Sequence, residues 1–276
     1  MNELTGFTTA TLQADDGTVI GYRQIGQGAG LLMVHGGMQS SLSFTILARA
    51  LSADFTVYVV DRRGRGLSGA YGESDDRLTE ANDLLALIKT KAISYIFGLS
   101  SGAILTLQAA LLEPSIQKIA LYEPPIPLQQ PWYKKLNSSY SGAMSEANLG
   151  RAFAAILKGT GDTSWFTRLP YVVLTPAFNL MMKGETTVRN LVPTFAHDLI
   201  ILQGSEQLVE QSQNLSAEVL LMQGAQSQRF LTAIIAHLKK VLPQARLVTF
   251  KRQGHLAADN SGDPVQVAAE LKRFFS

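Results

Sequence analysis

The stretch that decides the fold lies at residues 92–112 and reads AISYIFGLSSGAILTLQAALL. It carries no charge and is long enough for a transmembrane helix, which needs about 20 residues. Its pattern changes twice, however. A β-branched and aromatic run (Ile93 to Phe97) precedes a glycine-bounded turn (Gly98 to Gly102) and an alanine- and leucine-rich run (Ala103 to Leu112). The stretch is therefore interpreted as a strand, a sharp turn and a buried helix rather than as one membrane span.

Short apolar runs elsewhere predict the rest of a sheet. They occur at Leu31 to Val34, Phe55 to Val60, Ile119 to Tyr122, Val219 to Met222 and Arg246 to Phe250. Runs without polar alternation are typical of parallel strands that are covered on both faces. An Asp-Gly pair between Thr8 to Gln13 and Thr18 to Gln24 adds a predicted antiparallel hairpin. Because helical stretches separate these runs, the sequence predicts an α/β fold with a doubly wound, mostly parallel sheet.

Two helices of this predicted core carry start signals. Thr79 is expected to cap a helix that bears Leu84 and Ile88 on its apolar side. Asp263 followed by Pro264 is a cap and first-turn pair that predicts the start of the last helix.

The alternation of strands and helices stops between Glu123 and Glu218. Residues 124–217 contain no convincing core strand and begin with a cluster of prolines. One helix is indicated by apolar residues that recur on one face from Leu149 to Leu157, and a second is predicted to start at Thr175-Pro176 and to end at Lys183-Gly184. We therefore predict an α/β core at residues 1–123 and 218–276, interrupted by a helical cap, or lid, at residues 124–217.

Composition excludes several classes of protein. The chain has 276 residues, of which 46% are hydrophobic and 17% charged, with a net charge of +2. That balance supports a large core and gives no electrostatic footprint for nucleic acid. With no cysteine, the chain has no disulfide, thiolate nucleophile or cysteine metal site. Acidic residues within Met1 to Ile20 argue against a signal peptide, so we expect a cytoplasmic enzyme with no membrane partner. The sequence does not predict the oligomeric state.

The turn Gly98-Leu99-Ser100-Ser101-Gly102 matches the G-x-S-x-G pattern of a serine nucleophile. The pattern gains its meaning from its place between a strand and a helix. A tight turn there lifts the Ser100 hydroxyl above the sheet, and the following helix N-terminus points its amides at an incoming oxyanion. Ser100 is the predicted nucleophile, and a purely structural glycine turn is the alternative.

A serine hydroxyl needs a general base, and the chain offers four histidines. His237 and His197 fall on predicted helices, where packing roles are expected. His35 directly follows the strand that ends at Val34. His255 lies in the loop after the last predicted strand, at the sheet edge where α/β proteins bind their ligands. His255 is therefore the predicted base.

Four motifs together resemble the α/β-hydrolase-fold superfamily over nearly the whole chain. They are His35-Gly36-Gly37, the run Asp61 to Ser68, the turn at Ser100, and Gly254-His255. The resemblance is to serine esterases and lipases with a helical lid. It implies an oxyanion hole formed by the backbone amides of Ser101 and Gly37, with Met38 as the second choice for the latter. By the same resemblance, His35 and the loop from Asp61 to Ser68 shape the site without taking part in the chemistry.

One departure from the family pattern concerns the acid. Most relatives have an aspartate shortly after the strand that corresponds to Val219 to Met222, but the loop from Gln223 to Gln228 contains no carboxylate. Either the acid has moved or the chain has lost it. Glu123, at the end of the preceding strand, is the favoured candidate, and Asp259 is the second.

These residues predict a serine hydrolase that cleaves a small, largely apolar carboxylic ester through an acyl-enzyme on Ser100. No metal or organic cofactor is needed. The aromatic and methionine-containing cap suggests that Trp132, Trp165 and Met181 bind the substrate. The alternative, drawn from the missing aspartate, is a ligand-binding or sensory protein with weak or absent turnover. A lyase with the same serine and histidine stays open.

Overall fold

The computed structural model describes residues 4–128, 131–160 and 165–276. The predicted strand–turn–helix lies at its centre as strand Tyr95–Leu99 and helix Ser101–Leu112. The strand begins later than Ile93 because the amide of Ile93 still donates to the carbonyl of Ile88, at the end of the preceding helix, at 3.0 Å. None of the helices in the described ranges combines the length and the apolarity that a bilayer crossing requires.

The strands form one eight-stranded sheet in the order β1-β2-β4-β3-β5-β6-β7-β8. Their bounds are β1 Thr8–Gln13, β2 Val19–Gly26, β3 Ala29–Val34, β4 Phe55–Val60, β5 Tyr95–Leu99, β6 Lys118–Tyr122, β7 Glu218–Gly224 and β8 Arg246–Phe250. The pairs β1–β2 and β2–β4 are antiparallel, and all other neighbours are parallel. The predicted doubly wound, mostly parallel sheet is confirmed, and its parallel strands end at one edge.

Helices cover both faces of this sheet. The α-helices in the described ranges are α1 Thr45–Leu51, α2 Arg77–Lys91, α3 Ser101–Leu112, α4 Pro131–Ser145, α5 Leu149–Thr160, α6 Tyr171–Met181, α7 Thr186–Leu202, α8 Gln207–Gln211, α9 Arg229–Val241 and α10 Pro264–Phe275. One apolar cluster fills the space between the sheet and α2, α3 and α9, and a second lies between the sheet and α1 and α10. Burial on both faces explains why the parallel strands read as continuous apolar runs.

Two predicted helix starts are wrong. The cap of α2 is Asp76, whose side chain accepts from the amide of Thr79; Thr79 is the reciprocal partner inside the helix. Helix α6 begins at Tyr171, so that Pro176 lies within it. A proline in that position removes only the hydrogen bond to the carbonyl of Val172, and Val172 is 80% exposed, so water can take the place of the lost donor. The predicted start of α10 at Asp263-Pro264 agrees with the structure.

The described part of the segment between β6 and β7 contains helices joined by loops and turns, and no strand. Helices α4, α5, α6 and α7 share an apolar cluster of their own, which includes Leu136, Ile156, Val192 and Phe195. The last part of the segment instead joins the main core through residues such as Leu202 and α8. The segment therefore packs as a helical layer with its own apolar cluster, which joins the main core at the end of α7 and at α8.

Candidate active site

The turn at Ser100 has the strained geometry of a nucleophile elbow. Ser100 adopts φ 57° and ψ −126°, and helix α3 begins at the next residue. A Cβ on Gly98 would lie 2.4 Å from Thr106 Oγ1, and one on Gly102 would lie 2.4 Å from the Val34 carbonyl oxygen. Only glycine fits at either position, because the turn is pressed between α3 and the end of β3.

Left-handed backbone is concentrated at the predicted site. Among the described residues, five that are not glycine have a positive φ, and three of these are Met38 (58°), Ser100 (57°) and Glu123 (44°). The other two lie beside helix ends. Strained conformations persist where the surroundings hold them in place, and they are common at functional sites. The backbone thus singles out the predicted nucleophile, the predicted acid and one oxyanion candidate.

Glu123 and His255 form a direct pair. His255 Nδ1 lies 2.7 Å from Glu123 Oε2, and the Glu123 side chain is fully buried. A carboxylate can only accept, so Nδ1 is the donor in this hydrogen bond. Asp259, the second candidate, instead accepts from Gln39 Nε2 at 2.7 Å and from Ser261. Of the two carboxylates, only Glu123 contacts the imidazole.

The neighbouring loop explains how an acid after β6 reaches a histidine after β8. The amide of Gly224, at the end of β7, donates to Glu123 Oε1 at 2.7 Å. The same loop lies against the backbone of the histidine loop, since the amide of Gln226 donates to the Gln253 carbonyl at 2.9 Å and a Cβ on Gly224 would lie 2.3 Å from that oxygen. The loop that lacks the usual aspartate therefore supplies an amide that orients the carboxylate of Glu123.

The predicted nucleophile and base line one cavity. It has a volume of about 360 Å³, and Ser100 and His255 both belong to its wall. Tyr122 holds the histidine loop by donating its hydroxyl to the Gly254 carbonyl at 2.8 Å. No hydrogen bond joins Ser100 Oγ to His255 among the described residues, and such contacts commonly tighten only when substrate is bound.

The oxyanion candidates Gly37, Met38 and Ser101 also line this cavity. The loop that carries the first two is held by His35, whose Nδ1 donates to the Gly36 carbonyl at 2.9 Å while its Nε2 accepts from the amide of Arg62 at 3.2 Å. Burial lowers the pKa of His35 well below its ordinary value, and nearby arginines lower it further. His35 is therefore neutral, and its two hydrogen bonds hold the loop in place.

Sequence reasoning missed Asp198, a buried carboxylate of α7 that lines the cavity. Its Oδ1 accepts from Ser101 Oγ at 2.7 Å and from Arg62 Nη1 at 2.9 Å, and its Oδ2 accepts from Arg65 Nη2 at 2.5 Å. Burial favours a higher pKa for Asp198, but Arg65, Arg62 and the Ser101 hydroxyl together hold this pKa below its ordinary value. The carboxyl is therefore ionised. Its position on the apolar side of α7, between Phe195 and Leu202, was the available signal.

The arginines of the loop after β4 are buried and are paired with carboxylates. The pairs with α2 and α7 are Arg62–Glu80, Arg62–Asp198, Arg63–Asp83 and Arg65–Asp198, and Arg63 also pairs with Asp16 and Asp75. A buried cation without a partner is strongly unfavourable, so these pairs fix the loop against α2 and α7. The loop thus connects the core to the inserted helices through Asp198.

The predicted substrate-binding residues have different positions. Trp132 lines the cavity. Met181 does not belong to the cavity wall and packs in the apolar cluster of the inserted helices, because α6 lies behind α5. The side chain of Trp165 lies outside the described residues. Of the remaining histidines, His197 stacks on Tyr71 with ring centroids 3.3 Å apart, as expected for a packing residue.

Comparisons with known proteins identify the family of this chain. The sequence profile of the alpha/beta hydrolase family matches residues 31–270. The uncharacterized hydrolase YraK of Bacillus subtilis is 35% identical over 124 residues, or 43% of this chain and 45% of the relative. N-formylmaleamate deformylase of Pseudomonas putida is 31% identical over 143 residues, or 47% of this chain and 53% of the relative. This chain thus spans about half the length of the curated relatives it matches.

A solved structure extends the likeness to the whole fold. An alpha/beta hydrolase from Sphaerobacter thermophilus superimposes with a TM-score of 0.78 at 26% identity, over 97% of this chain and 100% of that chain. The profile match covers most of the chain and includes the turn at Ser100 and His255. The chain belongs to the alpha/beta hydrolase family.

Proposed function

We propose that this hydrolase cleaves a small, largely apolar carboxylic ester through an acyl-enzyme on Ser100. The observation that carries the proposal is the pair between His255 Nδ1 and Glu123 Oε2 at 2.7 Å. This pair leaves the other imidazole nitrogen free to take a proton, and His255 shares one cavity with Ser100. A nucleophile, a base and a group that orients the base are the parts that acyl transfer needs.

In the proposed reaction, His255 Nε2 accepts the hydroxyl proton as Ser100 Oγ attacks the ester carbonyl. The negative charge that forms on the carbonyl oxygen is stabilised by the backbone amides of Ser101 and Gly37. Collapse of the tetrahedral intermediate breaks the bond to the alcohol, which leaves with the proton from His255. A water molecule then gives a proton to His255 as its oxygen attacks the acyl-enzyme. Collapse of the second tetrahedral intermediate breaks the bond to Ser100 Oγ, which takes the proton back from His255, and the carboxylic acid leaves.

Glu123 would assist every proton transfer in this cycle. It holds the tautomer with the proton on Nδ1 and stabilises the imidazolium that forms when Nε2 is protonated. Its second oxygen is engaged by the amide of Gly224, so the carboxylate does not have to reorganise as the charge on His255 changes. This arrangement argues against the ligand-binding alternative, which depended on a missing acid.

The cavity wall favours a neutral substrate. Much of it is apolar and comes from the inserted helices, with Leu136, Phe153, Ile156 and Phe195 among its members. No lysine or arginine occurs among the described wall residues, and the carboxylate of Asp198 already binds two arginines. A deformylase is among the relatives, so amides are the second substrate class to test. A maleamate would nevertheless find no unpaired cation in the described part of this wall.

We also propose that residues 124–217 act as a lid. In support, α4, α5 and α7 contribute cavity residues, while the nucleophile and base come from the core at residues 1–123 and 218–276. Substrate choice would then depend mainly on the inserted helices and the chemistry on the core.

A fluorophosphonate probe and a series of p-nitrophenyl esters test the proposed activity. Wild type should be labelled rapidly and should hydrolyse the esters, whereas Ser100→Ala should lose labelling and about 10⁴-fold or more in turnover. Ser138→Ala, which changes an exposed serine of α4, is the matched control and should behave as wild type. A folded wild-type protein inert to probe, esters and formamides would favour the ligand-binding alternative. Labelling that survives in Ser100→Ala would show that the nucleophile is another residue.

A further inference from the structure

We propose that Asp198 is a positioning residue that couples the inserted helices to the oxyanion hole. The inference rests on the proposed function, because an oxyanion hole matters only if Ser100 carries out acyl transfer. Asp198 lies on α7, one of the inserted helices, and its carboxylate lies against the core beside both predicted oxyanion donors.

The first contact is with the start of α3. Ser101 is the first residue of that helix, and its amide is the predicted donor next to the nucleophile. Its hydroxyl donates to Asp198 Oδ1 at 2.7 Å and accepts from Arg62 Nη1 at 3.0 Å. The side chain of Ser101 is thus held from two sides, and the orientation of the residue is fixed by groups outside its own helix.

The second contact is with the loop after β3. A Cβ placed on Gly37 would lie 3.0 Å from Asp198 Oδ2 and 3.1 Å from Phe195, a neighbour on the same helix. Arg62 Nη1, which binds Asp198 at 2.9 Å, also donates to the His35 carbonyl at 3.4 Å. The α7 surface therefore lies against the backbone that carries the other predicted donor, and a shift of α7 would move both donors.

The charges around Asp198 distinguish a positioning role from a direct electrostatic effect on the reaction. A carboxylate beside a developing oxyanion is unfavourable, and here Arg62 and Arg65 neutralise it. If Asp198 acted only through its charge, its removal would leave surplus positive charge near the oxyanion and would raise turnover. If it acts by position, removal lowers turnover, because oxyanion donors are effective only when they are fixed in place beforehand.

The experiment measures kcat and KM for p-nitrophenyl acetate in three variants of the full chain. Asp198→Asn keeps the shape but places an amide N–H against the Arg65 guanidinium; we expect kcat to fall about 10- to 100-fold with KM within about twofold. Ser101→Ala removes only the link to α3 and should lower kcat by about fivefold. The kcat of the double variant should be no lower than that of Asp198→Asn, because both substitutions break the same connection between Asp198 and Ser101.

Arg77→Gln is the matched control. Arg77 also ties α7 to the core, through the carbonyls of Ile201, Gln203 and Gly204, but it contacts neither Ser101 nor Gly37. We expect it to lower thermal stability and leave kcat unchanged. If Asp198→Asn keeps or raises kcat, or if Arg77→Gln lowers kcat as much as Asp198→Asn, the positioning role is wrong while the proposed function stands. If Asp198→Asn does not fold, an unchanged kcat in Ser101→Ala overturns the inference. A wild-type protein inert to esters and to the fluorophosphonate overturns both proposals.

Discussion

Two buried carboxylates line or support the same cavity, and they differ in the partners they hold. Glu123 binds the imidazole of His255 at 2.7 Å and one backbone amide. Asp198 binds two guanidinium groups and a serine hydroxyl. An imidazole can take up and release a proton during a reaction, whereas a guanidinium is a permanent cation.

This difference separates two uses of a buried negative charge. Around Asp198 the charges are balanced in the resting protein, so their effect is to hold α7, α3 and the loop after β4 together. Glu123 is bonded to an imidazole and a backbone amide rather than to a permanent cation, and in the proposed reaction its charge is matched when His255 takes a proton. We therefore expect Glu123 to affect chiefly the rate of the chemical step, and Asp198 to affect stability and, through the geometry of the oxyanion hole, the rate to a smaller extent.

The largest effect is expected from Glu123→Gln. The amide keeps the size of the side chain but removes the charge that stabilises the imidazolium, so turnover should fall by roughly 10³- to 10⁴-fold with little change in the melting temperature. Steady-state kinetics on p-nitrophenyl esters measure it, with Asp259→Asn as the matched control. Equal losses in the two variants would remove the distinction between these carboxylates, and no loss in either would leave a serine–histidine dyad.

Asp198→Ala should instead have its main effect on stability. Breaking a buried pair by removing one partner leaves Arg65 and Arg62 short of an acceptor, and the free energy of unfolding should fall by about 3–5 kcal/mol. Urea unfolding followed by circular dichroism gives the value. A loss below about 1 kcal/mol would mean that solvent or nearby groups replace the carboxylate, and the balanced-charge interpretation would fail.

Acid pH should reduce the advantage of wild type over Asp198→Asn. The folded-state pKa of Asp198 lies below its ordinary value, so its contribution is complete above the ordinary aspartate pKa of about 4 and is lost as the pH falls through the lower folded value. Melting temperatures of both proteins between pH 7 and pH 3 check the sign. A difference that grows as the pH falls would contradict it.

The smallest expected effect concerns Trp132, which lines the cavity, in comparison with Met181, which packs behind it. Trp132→Ala enlarges the wall and should shift the preference among p-nitrophenyl esters toward longer acyl chains by about tenfold in relative kcat/KM. Met181→Ala is the control in the same helical layer and should leave the preference unchanged. A shift in Met181→Ala alone would place the acyl pocket elsewhere in the inserted helices.

The sequence predicts the core well, and it predicts which strand ends meet at the candidate site, because both depend on local patterns. The strand runs, the turn at Ser100 and the loop at His255 are each contiguous, and parallel strands bring their ends to one edge. Even Glu123 could be found, since it is a carboxylate at a strand end. The exact start of α6 could not be found, because the cost of Pro176 inside a helix depends on whether Val172 is exposed, and exposure is a property of the fold.

Asp198 shows the limit more clearly. Its partners Arg62 and Ser101 precede it by 136 and 97 residues, and no motif connects them. A carboxylate on the apolar side of a helix signals a buried partner, but the sequence does not say which arginine it is. The residues of the cavity wall are equally hard to predict from the sequence. Trp132 and Met181 both lie in apolar helices, and only the packing of α6 behind α5 shows that Met181 does not line the cavity.

The position of Glu123 directly before Pro124 has a consequence for recombination between relatives. In a chimera that exchanges the inserted helices, the first crossover can fall either before or after Glu123. If the crossover falls before Glu123, the donor segment brings its own residue at this position, and a donor whose acid follows β7 leaves the hybrid with no carboxylate for His255. The reverse hybrid, which carries Glu123 and the inserted helices of this chain on the donor's core, has two such carboxylates. Grafting a new specificity onto this scaffold therefore requires a junction after Glu123.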